Sequence, residues 1–81
     1  MDNLQHLKEA FSKSLELDLT EIKDDLAYSV NQQWDSIRHM NLVAEIEAIF
    51  DIMMETEDII DMSSFAKAKE ILGKYDVKFN A

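Results

Sequence analysis

The residues with the clearest chemical potential are Asp35, Ser36 and Ile37, which precede a long apolar stretch in the middle of the chain. Aspartate is a favoured N-cap residue, because its carboxylate accepts hydrogen bonds from the free N–H groups of the first helical turn. Asp35 therefore predicts a helix that begins at Ser36, with the serine hydroxyl exposed. An anion attached there is favoured by unpaired N–H groups and by the positive end of the helix dipole. A phosphate on Ser36 would therefore be stabilised by the start of this helix, although the three residues alone are also typical of an ordinary helix start.

Two other kinds of site are poorly supported by the spacing of the polar residues. His39 lies three residues after Ser36, but a nucleophilic serine also needs an oxyanion hole and an orienting group, and no glycine-rich elbow is present. The sequence therefore predicts no catalytic residue, and His39 is expected on the helix surface. The acidic segment 51–61 lacks the glycine and the alternating oxygen ligands of an EF-hand loop, so no metal site is predicted.

The elements that must position Ser36 are predicted to be helices, because apolar residues recur at three- and four-residue steps. The predicted spans are a first helix at about 2–17, a second at about 36–50, a short helix at about 56–61 and a last helix at about 64–75. Ser63 or Ser64 is expected to cap the last helix, and Gly73 either ends it or lies in its last turn. In the short helix, Ile59 and Ile60 are expected to face inward.

The apolar period is lost over residues 18–35, which predicts a long loop between the first two helices. Four apolar residues are expected to hold this loop against the core: Leu19, Ile22, Leu26 and Val30. Trp34 is expected to anchor the end of the loop against the bundle. The sequence thus predicts an all-α fold, a bundle of three main helices plus one short helix, in a single domain over 1–81.

The run Trp34–Val43, Trp-Asp-Ser-Ile-Arg-His-Met-Asn-Leu-Val, resembles the Asp-Ser-Leu attachment site of acyl carrier proteins, with Ile37 in the leucine position. The likeness covers roughly residues 4–77, because loop, long helix, acidic segment and last helix follow the family's order. It implies a freestanding carrier that is not an enzyme, with an acyl-carrier-protein-like bundle. It also implies that Ser36, in a motif completed by Asp35 and Ile37, carries a covalent 4′-phosphopantetheine arm whose thiol holds an acyl or aminoacyl group as a thioester.

The resemblance also implies the partners, which are a phosphopantetheinyl transferase and the enzymes that load and accept the acyl or aminoacyl group. Their basic patches would dock on the second helix, where Glu47 is kept but Arg38 and Asn41 stand at positions where fatty-acid carriers commonly have acids. This departure favours a specialised pathway, such as secondary, polyketide or surface-polymer biosynthesis. A general fatty-acid carrier, a D-alanyl carrier and, in another class, an unmodified acidic protein-interaction module stay open.

The composition is strongly acidic, with seventeen acidic against eight basic side chains and a formal net charge of −9. This balance argues against nucleic-acid binding, which needs a basic face, and favours basic protein partners. Cysteine is absent, so disulfides are excluded. No apolar run is long enough to span a bilayer and no signal peptide is recognisable, so the sequence predicts a cytoplasmic protein, expected to be monomeric.

Overall fold

Four helices form the fold, and three of them begin where a short polar side chain caps the first turn. The computed structural model describes residues 2–28 and 31–79. In chain order its helices are α1 (Asn3–Leu15), α2 (Ser36–Phe50), α3 (Thr56–Asp61) and α4 (Phe65–Gly73). The capping side chains of α1, α2 and α4 are Asp2, Asp35 and Ser64, and each accepts a hydrogen bond from a backbone N–H in the first turn. The predicted all-α fold is confirmed.

The spans of α2 and α3 match the prediction, whereas α1 and α4 are shorter than the predicted 2–17 and 64–75. The chain leaves α1 at Glu16, which adopts a left-handed conformation (φ 58°) and so ends the helix early. The last helical residue of α4 is Gly73, which lies in the last turn and has no positive φ. Apolar periodicity continues past both ends because residues beyond a helix still pack on the core, so periodicity alone overestimates helix length.

A single apolar core joins α1, α2 and α4 and includes the end of the long loop. Trp34 and Phe65 both pack edge-on against Phe11, with ring centroids 5.4 and 5.0 Å apart. Edge-to-face packing of this kind is favourable for aromatic rings. The prediction that Trp34 anchors the loop is therefore confirmed. The remaining buried apolar residues are Leu7, Ala10, Leu15, Ile22, Leu26, Leu42, Val43, Ile46, Met54, Met62, Ala68, Ile71, Leu72 and Val77.

The long loop at 18–35 contains one turn of 3-10 helix, Leu19–Glu21, and is held to the core by Ile22 and Leu26. The prediction for Leu19 is wrong: its side chain is 44% exposed, because it starts the 3-10 turn on the solvent side. The prediction for Val30 falls outside the described residues. Backbone hydrogen bonds tie the loop to α4, with the N–H of Phe65 donating to the carbonyl of Leu26 at 3.0 Å.

Helix α3 has a different inner face from the one predicted. Ile59 is half-buried against the core, but Ile60 is 73% exposed, so its predicted inward position is wrong. Consecutive helical residues differ by about 100° in direction, and in a helix of six residues one narrow face meets the core. That face is occupied by Asp58 and Ile59, followed by buried Met62 just after the helix.

The apolar surface of α2 is divided between the core and the outside. Leu42, Val43 and Ile46 are buried, whereas Ile37 and Met40 are exposed. The apolar surface of α2 is therefore wider than the face that packs on the core. A partly uncovered apolar strip remains at the start of the helix, next to Ser36. Within the described ranges, no helix combines the length and apolar character needed to cross a bilayer.

Candidate functional site

The start of α2 has the capped geometry that the sequence predicts. Asp35 is extended (φ −102°), and its Oδ1 accepts a hydrogen bond from the backbone N–H of Arg38 at 2.8 Å. Ser36 is the first residue of the helix and is exposed to solvent. The Ser36 hydroxyl is thus presented at a fixed helix start, where the dipole favours a negative group.

The charges beside Ser36 are arranged around Arg38. Its guanidinium contacts Asp35 Oδ2 at 2.7 Å and Glu16 Oε2 at 3.2 Å, so it bridges the end of α1 and the start of α2. The backbone hydrogen bond from Arg38, followed by the charge and side-chain hydrogen bond of the same residue, lowers the pKa of Asp35 below its ordinary 3.8. Desolvation opposes this shift only in part. Asp35 therefore stays ionised at any pH near neutral.

Ser36 lies at the edge of an apolar groove between α2 and α3, with a volume of about 340 Å³. We call it the Ser36 groove, and its lining residues are Tyr28, Ser36, His39, Met40, Ile59, Ile60, Met62 and Ser63. Its surface is almost entirely apolar, although it is open to solvent. A larger depression of about 510 Å³ lies on the long loop at residues 20–31, but its surface is mostly polar and Ser36 is not part of it. The Ser36 groove is therefore the better candidate for binding an apolar chain.

The prediction that His39 is a simple surface residue is wrong. Its Nδ1 accepts a hydrogen bond from the indole Nε1–H of Trp34, and its Nε2 lies 2.8 Å from the backbone carbonyl of Ile59. The imidazole also stacks on the indole, with centroids 5.9 Å apart and planes inclined by 26°. We call Trp34, His39 and Ile59 the His39 cluster. Because both ring nitrogens are engaged, neither serves as a base for the Ser36 hydroxyl in this arrangement.

A second polar cluster attaches α3 to the residues that follow α4, and the sequence analysis missed it. Asp58 is only 6% exposed, and its carboxylate accepts hydrogen bonds from Lys74 Nζ at 2.6 Å and from the Tyr75 hydroxyl at 2.5 Å. The Tyr75 oxygen in turn accepts a hydrogen bond from the backbone N–H of Glu55 at 2.9 Å. We call Asp58, Lys74 and Tyr75 the Asp58 cluster. Its partners are sixteen and seventeen positions apart, so no local pattern indicates them.

Hydrogen bonding shifts the pKa values in the Asp58 cluster. The side-chain hydrogen bonds from Lys74 and then Tyr75 lower the pKa of Asp58 below 3.8, against the opposing effect of burial. The hydrogen bond to Asp58 raises the pKa of Lys74 above 10.5 and that of Tyr75 above 10.0. The ion pair is therefore intact throughout the physiological range.

The residues predicted to dock partner enzymes do not line the Ser36 groove. Arg38 is occupied by its two carboxylate partners, and Asn41 is exposed on α2 beside a shallow polar depression shared with α1. Glu47 accepts a hydrogen bond from the backbone N–H of Met54 at 2.9 Å, so it stabilises the chain reversal after α2. The docking roles of Arg38, Asn41 and Glu47 stay predictions.

Exposed apolar side chains, by contrast, line the groove from both helices, Met40 on α2 and Ile60 on α3. Ile37, the third residue of the motif, is 74% exposed on the first turn of α2. Contiguous exposed apolar surface marks a site of interaction with a ligand or a partner. Among residues 2–28 and 31–79, no three acidic or histidine side chains are grouped to hold a metal ion.

Comparison with known proteins adds no assignment, because neither a protein-family model nor a curated protein matches the chain.

Proposed function

We propose that the protein is a carrier whose Ser36 holds a 4′-phosphopantetheine arm. The observation that supports this proposal is the position of Ser36, an exposed hydroxyl at a capped helix start and at the edge of an apolar groove. When attached, the arm supplies a thiol that carries an acyl or aminoacyl group as a thioester. The chain supplies the attachment oxygen, a surface for partner enzymes, and shelter for the arm or its cargo.

The attachment reaction uses Ser36 as an oxygen nucleophile in the active site of a separate transferase. The Ser36 oxygen forms a bond to the phosphorus of coenzyme A that bears the pantetheine. The serine proton is lost, and adenosine 3′,5′-bisphosphate leaves with the broken P–O bond. The ionised Asp35 caps the helix so that Ser36 stays at its first position, and the N-terminal dipole of α2 favours the negative charge of the product.

The Ser36 groove fits the apolar part of such a group. Its volume of about 340 Å³ is at the small end of the range for ligand pockets. Each methylene that leaves water in this groove gains up to about 0.8 kcal/mol. Methionine side chains adapt their shape easily, so Met40 and Met62 let the groove take chains of different outline. A short to medium apolar chain is the cargo that this lining suits best.

The surface charge suits basic partners, namely the transferase and the loading and accepting enzymes. A net charge of −9 attracts a basic patch over several ångströms and speeds encounter. Next to Ser36, however, Arg38 partly neutralises Asp35 and Glu16. An enzyme that expects acids beside the serine would lose this attraction, so we propose a carrier for a specialised pathway rather than for general fatty-acid synthesis.

Modification in vitro tests the proposal. The protein is incubated with coenzyme A and a transferase of broad specificity, and its intact mass is measured. Wild type should gain one phosphopantetheine and Ser36→Ala none, with helical circular dichroism unchanged. Ser63→Ala is the matched control, because Ser63 is an exposed serine that lines the same groove and its loss should leave modification intact.

Two outcomes would overturn the assignment. Modification of Ser36→Ala would show that the attachment site is a residue other than Ser36. If wild type stayed unmodified under conditions that modify a known carrier, the alternative class would remain, an unmodified helical interaction module whose acidic face binds a basic partner.

A further inference from the structure

His39 connects three parts of the molecule through one imidazole ring. The indole Nε1–H of Trp34 reaches its Nδ1 from the end of the long loop, and the carbonyl of Ile59 in α3 lies 2.8 Å from its Nε2. An indole N–H can only donate a hydrogen bond and a carbonyl oxygen can only accept one. These partners therefore require a neutral imidazole with its single proton on Nε2.

The ring holds the two walls of the Ser36 groove together. Trp34 is buried and immediately precedes the Asp35–Ser36 attachment motif, whereas Ile59 belongs to α3 on the opposite side. The edge of the His39 ring also packs against Tyr28, with centroids 5.8 Å apart. Two hydrogen bonds of the His39 side chain therefore fix the distance between α3 and the segment that precedes Ser36.

A second proton on His39 is incompatible with this arrangement. It would place an Nδ1–H against the indole N–H, so two donors would face each other without an acceptor. Histidine is also the side chain that ordinarily changes charge between about pH 5 and 8. Protonation of Nδ1 therefore breaks at least the bond to Trp34.

None of the described residues that line the groove around His39 has a carboxylate that could replace that bond. From the loop it is faced by the phenol of Tyr28, and from α3 and the segment after it by Ile59, Met62 and Ser63. Among the groove-lining residues that the structure describes, Tyr28 is the other titratable group.

The charged side chains on the adjoining elements are already engaged or turned to solvent. On α2, Asp35 and Arg38 bind each other. On α3, Asp58 binds Lys74, and Asp61 is exposed. A protonated imidazole in this position would be charged, without a counter-ion, on an apolar wall, which is costly. The ring must therefore move toward water.

We propose that His39 is a proton-sensitive latch that closes the Ser36 groove when neutral and releases α3 from the loop end when protonated. Movement of the ring toward water frees the carbonyl of Ile59 and removes the stacked ring from Trp34. Helix α3 then stays attached mainly through the Asp58 cluster, and the groove widens beside Ser36. The latch is a property of the unmodified chain and does not depend on the proposed arm.

Two probes follow the latch directly. Trp34 is the single tryptophan of the chain, so its fluorescence reports the contact with His39. Nile red, an uncharged apolar dye, reports access to the groove without responding to net charge. Between pH 7.5 and 5.5, wild type should change its tryptophan emission and bind Nile red on the order of fivefold more tightly, the factor that corresponds to the loss of one ordinary hydrogen bond.

Three variants separate the latch from general effects of pH. His39→Gln keeps one acceptor and one donor at every pH, so it should bind dye weakly with a flat pH profile. His39→Leu lacks both bonds and should bind dye tightly with a flat profile. His6→Gln, which changes the other histidine, on α1 and outside the groove, should titrate like wild type.

The outcomes decide the proposal even if one variant folds poorly. A flat wild-type profile would overturn the latch, and so would a titration in His39→Gln of the same size as in wild type. If His39→Leu does not fold, the contrast between wild type and His39→Gln alone gives the answer. Because all samples lack the arm, failure here would leave the assignment of Ser36 untouched.

Discussion

The two sides of α3 are held by polar groups of opposite character. On the side of the Ser36 groove, the His39 cluster uses neutral hydrogen bonds and one ring that can take a proton. On the side of α4, the Asp58 cluster uses an ion pair and a phenol hydrogen bond to a buried carboxylate. The pKa shifts of the Asp58 cluster keep it unchanged across the physiological range. If His39 acts as the proposed latch, the Asp58 cluster is the permanent attachment of α3 and the His39 cluster is the adjustable one.

Among the variants that test this comparison, Asp58→Asn should have the largest effect on stability. The amide keeps the shape but removes the charge that Lys74 and Tyr75 bind, while the Lys74 ammonium, 62% exposed, returns to water at little cost. We expect the Tm to fall by several degrees and the α3 amides to exchange hydrogen faster than those of α1 and α4. Circular dichroism melts and hydrogen exchange measure both. An unchanged Tm would mean that apolar contacts, not the carboxylate, hold this side of α3.

Tyr75→Phe should lower the Tm less than Asp58→Asn does. It removes one of two donors to Asp58 and leaves the backbone N–H of Glu55 without its acceptor, but the ion pair with Lys74 remains. The same melts provide the measurement. Exposed Tyr28 gives the matched control, since Tyr28→Phe removes a phenol hydroxyl that lies outside the Asp58 cluster. A larger fall for Tyr75→Phe than for Asp58→Asn would show that the phenol, rather than the ion pair, carries the attachment.

The sequence predicted those parts of this structure that depend on neighbours within one helical turn. The caps at Asp35 and Ser64 are local, because the side chain bonds a backbone N–H three residues ahead, and both appear where they were expected. The bounds of α2 followed from the same logic. The groove beside Ser36 was not predicted, since its shape depends on where α3 packs.

The parts that the sequence could not predict depend on distant partners. His39 bonds a backbone carbonyl twenty positions away. Because every residue has a backbone carbonyl, no residue type in the sequence indicates this partner. The wrong inward placement of Ile60 has a related cause, because a six-residue helix is too short for periodicity to distinguish its faces. The one usable signal was a tryptophan and a histidine on either side of a helix cap, which is enough to suggest contact but not its geometry.

The Asp58 cluster and the His39 cluster should lose their contributions to stability in different pH ranges. Because the pKa of Asp58 is lowered in the folded chain, its contribution to stability is complete above the ordinary 3.8 and is lost as the pH falls through the lower folded value. The raised pKa of Lys74 acts at the other end, where stability is lost as the pH rises above 10.5.

The free energy of unfolding in urea, measured for wild type and Asp58→Asn, tests this separation. The difference between them should be constant from about pH 5 to 9 and should shrink only below about pH 4. His39→Gln should instead differ from wild type in its pH dependence between about pH 5 and 8. A difference for Asp58→Asn that varies in that middle range would show that the two clusters are coupled rather than independent.

The salt dependence of stability should be smaller. Residues 51–61 carry five acids and no base, so screening of their repulsion should raise the Tm as salt increases from 10 to 200 mM. The Asp58 carboxylate is the exception within this segment, because it is shielded from solvent and is already paired with Lys74. Asp58→Asn should therefore keep most of the salt response of wild type, and Glu57→Gln should reduce it. A Tm that falls with salt in wild type would contradict the repulsion.

The smallest effect is expected from the exposed ion pair between Arg38 and Glu16. Its carboxylate is 68% exposed and its N–O distance is 3.2 Å, against 8% and 2.6 Å for the Asp58 carboxylate and Lys74. Water and salt screen the exposed pair, and ordering two long side chains offsets part of the attraction, so a double-mutant cycle with Glu16→Gln and Arg38→Met should give about 0.5 kcal/mol or less. The same cycle on Asp58 and Lys74 should give a clearly larger coupling.

Arg38 should therefore affect recognition by partner enzymes more than it affects the stability of the fold. Replacing Arg38 with Asp and Asn41 with Glu restores the acids common in fatty-acid carriers, and it should change the Tm little. Malonyl loading and condensation by fatty-acid enzymes should become measurably faster on the modified double variant than on modified wild type, because attraction replaces repulsion at the enzymes' basic patches. The rates are compared at matched protein concentration and salt. Equal rates, together with a large loss of stability, would mean that Arg38 serves the fold instead.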